Sequence, residues 1–291
     1  MSADPSPTKT HRDENFPVAS RLIARQHRPT VLAFYYFVRG ADDIADSPVL
    51  SPQEKLERLD RFEAALLGKE DGIAAARPLR ASLAERRLTP RHALDLLHAF
   101  RMDAVKQRYA NFDELMHYCA YSAAPVGRFV LDVHGESEST WPANDALCSA
   151  LQIINHLQDC GADYRNLDRV YVPLDGMAKE GVDPAALAAP RASPGLLACL
   201  HHLAARTELL VRQGSALPRQ VRDLRLGLET AVIARLAQKL VTMLIHRDPL
   251  SETVHLTKPG FLAFTLVGVG AGLVDRGRRA TRRHASTMRG A

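Results

Sequence analysis

Helix-start signals recur along this chain and constrain its fold more than any other feature. Ser51-Pro52 followed by Glu54 is a capping box with proline at the first helical position. The cap-plus-proline pattern recurs at Thr89-Pro90 and Ser193-Pro194, and the stretch 221–245 is apolar at three- and four-residue spacing without a proline. Runs that alternate between apolar and polar residues are scarce, so we predict a single-domain all-α fold of nine to eleven helices.

Charge is concentrated at the end of the chain. Residues 275–291 contain six arginines and one aspartate, a net +5 that equals the formal charge of all 291 residues. The remainder is about neutral, which argues against a nucleic-acid partner. We therefore predict a flexible N-terminus at 1–12, a helical domain at 13–274 and a basic flexible tail at 275–291.

A polar stripe runs along the otherwise apolar helical segment 28–46. Four side chains share this face, since at about 100° per residue they fall within about 60° of one another. They are Tyr35, Arg39, Asp42 and Asp46. The opposite side is apolar and can pack against a core.

A second polar stripe occurs in the segment 151–173. Here again four side chains fall on one helical face, within about 80° of one another. They are Gln152, Asn155, Asp159 and Asp163. Each stripe thus carries two aspartates spaced four residues apart.

The paired aspartates indicate a metal site rather than local helix stabilisation. Like charges four residues apart repel each other, and a carboxylate within an apolar helix is costly unless it is compensated. Carboxylate oxygens suit Mg²⁺, which shares its coordination shell with water and phosphate oxygens. Zinc would require histidine or cysteine ligands, and neither HExxH nor a CxxC pair occurs. The sequence predicts that the two pairs face each other, bind Mg²⁺ and promote departure of a diphosphate.

These motifs resemble the squalene/phytoene synthase family over roughly residues 13–258. The matching stretches are RGADDIAD at 39–46, YCAYSAAPVG at 118–127, QIINHLQDCGAD at 152–163 and DRVYVP at 168–173. The resemblance implies the isoprenoid synthase fold, a helical bundle around a central cavity. It also implies a prenyl diphosphate substrate and two or three Mg²⁺ ions.

The resemblance also implies roles for individual residues. Asp42, Asp46, Asp159 and Asp163 match the metal ligands. The residues expected to bind the substrate diphosphate are Arg39, Asn15, Tyr35 and Arg169. Those expected to act in catalysis within the same cavity are Tyr118, Gln152 and Asn155. Pro125 departs from the family pattern and predicts a kinked helix.

A narrower likeness points to the hydroxysqualene synthase branch of bacterial hopanoid biosynthesis. It is carried by ENFPVAS at 14–20, ADDIAD at 41–46 and Gln158 before Asp159. It implies that presqualene diphosphate is ionised and the cation is quenched with water, without NADPH. Two alternatives remain open: head-to-head condensation of two prenyl diphosphates, and a non-catalytic helper with the same fold.

The resemblance places the protein in the bacterial cytoplasm, with the inner membrane and other hopanoid-pathway enzymes as further expected contacts. The apolar run 261–274 is shorter than the ~20 residues that span a bilayer. Together with the basic tail it makes 261–291 the expected region of peripheral membrane contact.

Overall fold

A computed structural model describes residues 23–255, and within that range the chain is helical with one isolated parallel bridge between Arg108 and Val170. Two short 3₁₀ turns, Glu138–Thr140 and Pro184–Ala188, accompany the α-helices. The α-helices of the described range are α1 (Arg28–Ala45), α2 (Pro52–Leu66), α3 (Ala76–Arg86), α4 (Arg91–Val105), α5 (Phe112–Ser122), α6 (Ala124–Val133), α7 (Trp141–Leu167), α8 (Leu174–Lys179), α9 (Pro194–Gly214), α10 (Leu217–Gln220) and α11 (Leu224–His246). The prediction of an all-α fold is confirmed.

Four of the α-helices in the described range, α2, α5, α9 and α11, begin at a capping side chain. The Ser51 hydroxyl accepts the backbone N–H of Glu54, whose side chain accepts the Ser51 N–H in return. Ser193 caps α9 through the N–H of Leu196. The start predicted at Thr89 is wrong by one residue, because Pro90 itself occupies the cap position and α4 begins at Arg91.

Pro125 separates two helices instead of bending one. Helix α5 ends at Ser122, Ala123 (φ −119°, ψ −51°) lies between the helices, and α6 then begins with Pro125 in its first turn. Proline is tolerated there because the first backbone N–H groups of a helix have no partner within the helix. The predicted kink is therefore wrong, since the departure falls at a helix boundary.

The helices pack around two hydrophobic clusters. The first cluster centres on α7, α9 and α11, with contributions from α5. The second lies among α1, α2, α3 and α4. Helix α6 joins them, because Leu131 is buried in the first cluster while Phe129 and Val133 are buried in the second. Each aspartate-bearing helix thus belongs to a different cluster.

Close helix contact in the first cluster depends on Gly214 at the end of α9. A Cβ atom at this position would lie 2.7 Å from backbone atoms of Leu147 on α7. Such a contact is too short for real atoms, so the glycine allows the two helices their close approach.

None of the helices in residues 23–255 combines the length and hydrophobicity needed to cross a lipid bilayer. The predicted domain boundaries, Asn15 and the region 261–291 lie outside the described residues, and those expectations stay predictions.

Candidate active site

The first aspartate pair lies at the C-terminal end of α1. Arg39 donates from Nη1 to Asp42 Oδ2 at 2.9 Å and from Nη2 to a carboxylate oxygen of Asp43. Asp46 is the residue that follows the helix. Tyr35 lies one turn before Arg39 and is half-buried, whereas Phe37 on the opposite face is fully buried. The predicted polar stripe therefore exists, and its reverse side packs in the second cluster.

The second aspartate pair lies near the C-terminal end of α7. Asp159 and Asp163 are half-buried on one face of this helix. The Nε2 atom of Gln152 lies 3.1 Å from His156 Nε2, and His156 Nδ1 lies 3.9 Å from Asp163 Oδ2. Asn155 is on the same face, and its buried Oδ1 atom has no hydrogen-bond partner among residues 23–255.

Arg169 joins the two helix ends. It follows Asp168, whose left-handed conformation (φ 52°) ends α7 and turns the chain. Its Nη1 atom donates to Asp46 Oδ1, and its Nη2 atom donates to the carbonyl oxygen of Ala45 at 3.1 Å. Arg169 is only 7% exposed. The structure thus places Arg169 between the aspartate helices, while its contact with a diphosphate stays a prediction.

The electrostatics of the carboxylates links Asp163 on α7 to Asp46 at the end of α1. Burial and the neighbouring Asp46 charge raise the pKa of Asp42 to about 8. Burial and Asp159 raise the pKa of Asp163 to about 7, and the charge of Asp46 on the other helix raises it further. Carboxylates whose charges disfavour one another in this way are stabilised by a cation placed between them.

The donor set of this site fits Mg²⁺. Among residues 23–255 no three aspartate, glutamate, histidine or cysteine side chains lie close enough to hold a metal by themselves. Magnesium is usually bound through one or two carboxylates, and water and substrate phosphate complete its octahedral shell. One aspartate pair on each helix is the kind of donor set that this pattern requires, and the unpartnered Asn155 Oδ1 is a further oxygen donor.

A buried aromatic cluster adjoins the carboxylates. Tyr118 on α5 donates its hydroxyl proton to Asp103 Oδ2 at 2.8 Å, and the Tyr171 hydroxyl lies 3.5 Å from Asp103 Oδ1. The Tyr171 ring stacks on His156, with the ring centroids 3.4 Å apart. Burial and the nearby charge of Arg169 lower the pKa of His156 to about 3, so its imidazole is neutral. Tyr118 thus lies beside the predicted residues of α7.

Three members of this cluster, Asp103, His156 and Tyr171, are absent from the site residues predicted from the sequence. A signal for Asp103 exists, since at about 100° per residue it shares a helical face with Leu96 and Phe100. A carboxylate on such an apolar face requires a buried partner. Burial raises the pKa of Asp103 to about 6, against the opposing effects of Arg169 and the Tyr118 hydrogen bond.

A separate cavity of about 320 Å³ lies between α5, α8 and α9 and includes Phe112, Cys199 and Arg206. None of the predicted site residues lines it.

Comparison with known proteins identifies the family of this chain. The family model described as squalene/phytoene synthase matches residues 9–259. The chain is 56% identical to the hydroxysqualene synthase of Sinorhizobium fredii, over 93% of this chain and 91% of that protein. It is 57% identical to the hydroxysqualene synthase of Rhodopseudomonas palustris, over 90% of this chain and 89% of that protein. The predicted likeness to that branch is confirmed.

Solved structures agree on the fold. The squalene synthase HpnC from Alicyclobacillus acidocaldarius is 30% identical and superimposes with a TM-score of 0.69, over 77% of this chain and 85% of that one. A dehydrosqualene synthase at 21% identity has a TM-score of 0.76, over 89% of this chain and 92% of that one, which shows a shared fold. By its sequence and its fold, this chain belongs to the squalene/phytoene synthase family.

Proposed function

We propose that this protein converts presqualene diphosphate and water into hydroxysqualene and diphosphate. The observation that carries the proposal is the identity of 47–57% to three proteins named hydroxysqualene synthase, each matched over about nine-tenths of this chain. In this reaction the carbon–oxygen bond to diphosphate breaks and leaves a cyclopropylcarbinyl cation. The cation rearranges, a water oxygen bonds to carbon, and one proton is lost.

The four aspartates are the proposed ligands of Mg²⁺. Asp42 and Asp46 would bind from α1, and Asp159 and Asp163 from α7. When bound, Mg²⁺ supplies Lewis-acid stabilisation of the negative charge that grows on the leaving diphosphate. Arg39 is close to this position, where its guanidinium can orient a phosphate group through two parallel hydrogen bonds.

The aromatic cluster provides the other half of the proposed chemistry. Tyr118, Tyr171 and His156 present ring faces and a neutral imidazole, which favour a carbocation more than a cationic group would. Their burial also limits which water molecules reach the cation. Gln152 and Asn155 contribute amide groups on the same face of α7, where they can orient the water that attacks.

Product analysis separates this proposal from the head-to-head condensation. The purified full chain is incubated with presqualene diphosphate or farnesyl diphosphate, each with Mg²⁺ and with or without NADPH. We expect diphosphate and an alcohol from presqualene diphosphate in both cofactor conditions. Consumption of farnesyl diphosphate alone would favour condensation, and squalene formed only with NADPH would contradict the water-quenching reaction.

Substitution of the aspartates separates an enzyme from a non-catalytic helper. We expect Asp42→Asn combined with Asp159→Asn to lower kcat by at least about a thousandfold while the circular dichroism spectrum stays helical. Asp60→Asn is the matched control, because its carboxylate is 68% exposed and pairs with Arg101 on the surface. Turnover retained in the double variant would exclude the metal assignment.

We also propose that residues 261–291 bring the protein to the inner membrane surface from the cytoplasm. The support is the apolar run at 261–274 and the six arginines beyond it, which suit anionic lipid headgroups. Flotation with anionic vesicles should be lost on deletion of 261–291 and weakened by glutamine at the six arginines. Contact with other pathway enzymes stays a prediction from the resemblance.

A further inference from the structure

Asp103 is a buried carboxylate with an unusual set of partners. It lies in the last turn of α4 and is only 4% exposed. Among residues 23–255, its side chain forms no salt bridge with a basic residue. Its hydrogen-bond partners among these residues are the hydroxyls of Tyr118 and Tyr171. A buried carboxylate held by two phenols is costly compared with an apolar residue of similar size. Packing alone therefore does not explain an aspartate at this position.

The side chain and main chain of Asp103 serve different parts of the site. The carboxylate accepts the Tyr118 hydroxyl at 2.8 Å. The main-chain carbonyl oxygen lies 3.5 Å from Nη2 of Arg169, the residue that bonds Asp46. Substitution of Asp103 by alanine keeps the carbonyl group and removes the contact with Tyr118.

The direction of the Tyr118 hydrogen bond has a chemical consequence. A phenol hydroxyl is both a donor and an acceptor. Because an ionised carboxylate can only accept, the Tyr118 proton is committed to Asp103. The Tyr118 oxygen also interacts with the Tyr171 hydroxyl, and its lone-pair density can stabilise a nearby cation.

We propose that Asp103 is a positioning residue that fixes the orientation of the Tyr118 phenol for the carbocation step. The inference rests on the proposed function, since it requires a carbocation next to Tyr118. Asp103 acts through Tyr118 and does not itself touch the substrate. What it supplies is an acceptor atom at a fixed place, and an amide oxygen at the same place should supply it too.

Two variants of Asp103 isolate the acceptor from the charge. Asp103→Asn keeps an oxygen acceptor, whereas Asp103→Ala removes it, and both lack the negative charge. Release of diphosphate from presqualene diphosphate is measured with Mg²⁺ in the full chain. We expect kcat of Asp103→Asn to be at least one-tenth of the wild-type value, and kcat of Asp103→Ala to be at least about tenfold lower than that of Asp103→Asn.

A binding measurement distinguishes positioning of Tyr118 from a general structural role. Calorimetry with inorganic pyrophosphate and Mg²⁺ should give dissociation constants for the two variants within about threefold of each other, because the main-chain contact with Arg169 is unchanged. Equal kcat for Asn and Ala, or pyrophosphate affinities that fall in step with kcat, would overturn the proposal. An inactive wild-type chain would overturn the proposed function and this inference together, whereas an active wild type with equal variants overturns the inference alone.

A second comparison applies if Asp103→Ala does not fold. Tyr118→Phe is then introduced into the wild type and into Asp103→Asn. An equal fold-loss of kcat in both supports the proposal, because asparagine still orients the phenol. If Tyr118→Phe causes no further loss in the Asp103→Asn chain, the carboxylate charge itself is required and the proposal is wrong.

Discussion

Removal of the Arg169 guanidinium should weaken the connection between the two aspartate helices. Arg169→Met keeps much of the side-chain volume but leaves the carboxylate of Asp46 without its partner from the end of α7. Deleting one partner of a buried ion pair typically destabilises a protein by about 3–5 kcal/mol. The Asp46 side chain is 37% exposed, so water can partly solvate it, and we expect about 3 kcal/mol, at the lower end of that range.

The assay is thermal and urea unfolding of the metal-free chain. For a protein of this size, about 3 kcal/mol corresponds to a decrease of roughly 6–12 °C in Tm. Arg212→Met is the matched control, since Arg212 is 66% exposed and pairs with Glu208 on the surface of α9. A surface pair contributes about 0–1 kcal/mol, so its loss should lower Tm by no more than about 4 °C.

A double-mutant cycle assigns the effect to the pair itself. Arg169→Met should be less destabilising in an Asp46→Asn background than in the wild type, by at least about 1 kcal/mol. The reason is that the Asp46 carboxylate, which would otherwise be left without its partner, is absent. The reasoning is refuted if Arg169→Met is no more destabilising than Arg212→Met, or if the two substitutions are additive.

Two further predictions concern packing and pH. Gly214→Ala should destabilise the protein by about 1–3 kcal/mol in urea unfolding, through overpacking against Leu147. The control is Gly176→Ala, which should be neutral or slightly stabilising because a Cβ at that position meets no atom within 4 Å. Equal effects of the two substitutions would contradict the close contact of α7 and α9. The raised pKa of Asp163 means that the folded chain holds this proton more tightly than the unfolded chain. The contribution of this bound proton to stability is therefore complete below about pH 4 and is lost as the pH rises toward 7. The metal-free wild type should lose stability relative to Asp163→Asn over that interval. A constant difference in stability between the two chains would show that the pKa of Asp163 is not raised.

The aspartate faces could be predicted because each depends on one helix. The four-residue spacing of Asp42 and Asp46 is a property of the chain, and the periodicity of a helix brings both to one side. That the two pairs face each other stays a prediction from chemistry, since a cation held between them would relieve the repulsion within both pairs. Pattern and chemistry thus suffice wherever partners lie within one element.

The contacts of Asp103 and Arg169 with other elements could not be predicted in this way. The partners of Asp103 come from α5 and from the segment after α7, and no spacing along the chain relates them. The direction of Arg169 depends on the left-handed conformation of Asp168, which is uncommon for a residue other than glycine. Contacts of this kind arise from packing between helices, and so they were accessible only from the structure.

The division of the interior into two hydrophobic clusters has a consequence for turnover. Asp42 and Asp46 lie at the end of a helix packed in the second cluster, whereas Asp159 and Asp163 lie on a helix packed in the first. A diphosphate coordinated from both sides would therefore cross-link the two clusters, and its departure would leave them connected mainly through α4, α6 and Arg169. We expect the enzyme to be most rigid while it holds its substrate. As the diphosphate departs, the packing between the two clusters should loosen, so that their separation and the release of product occur together.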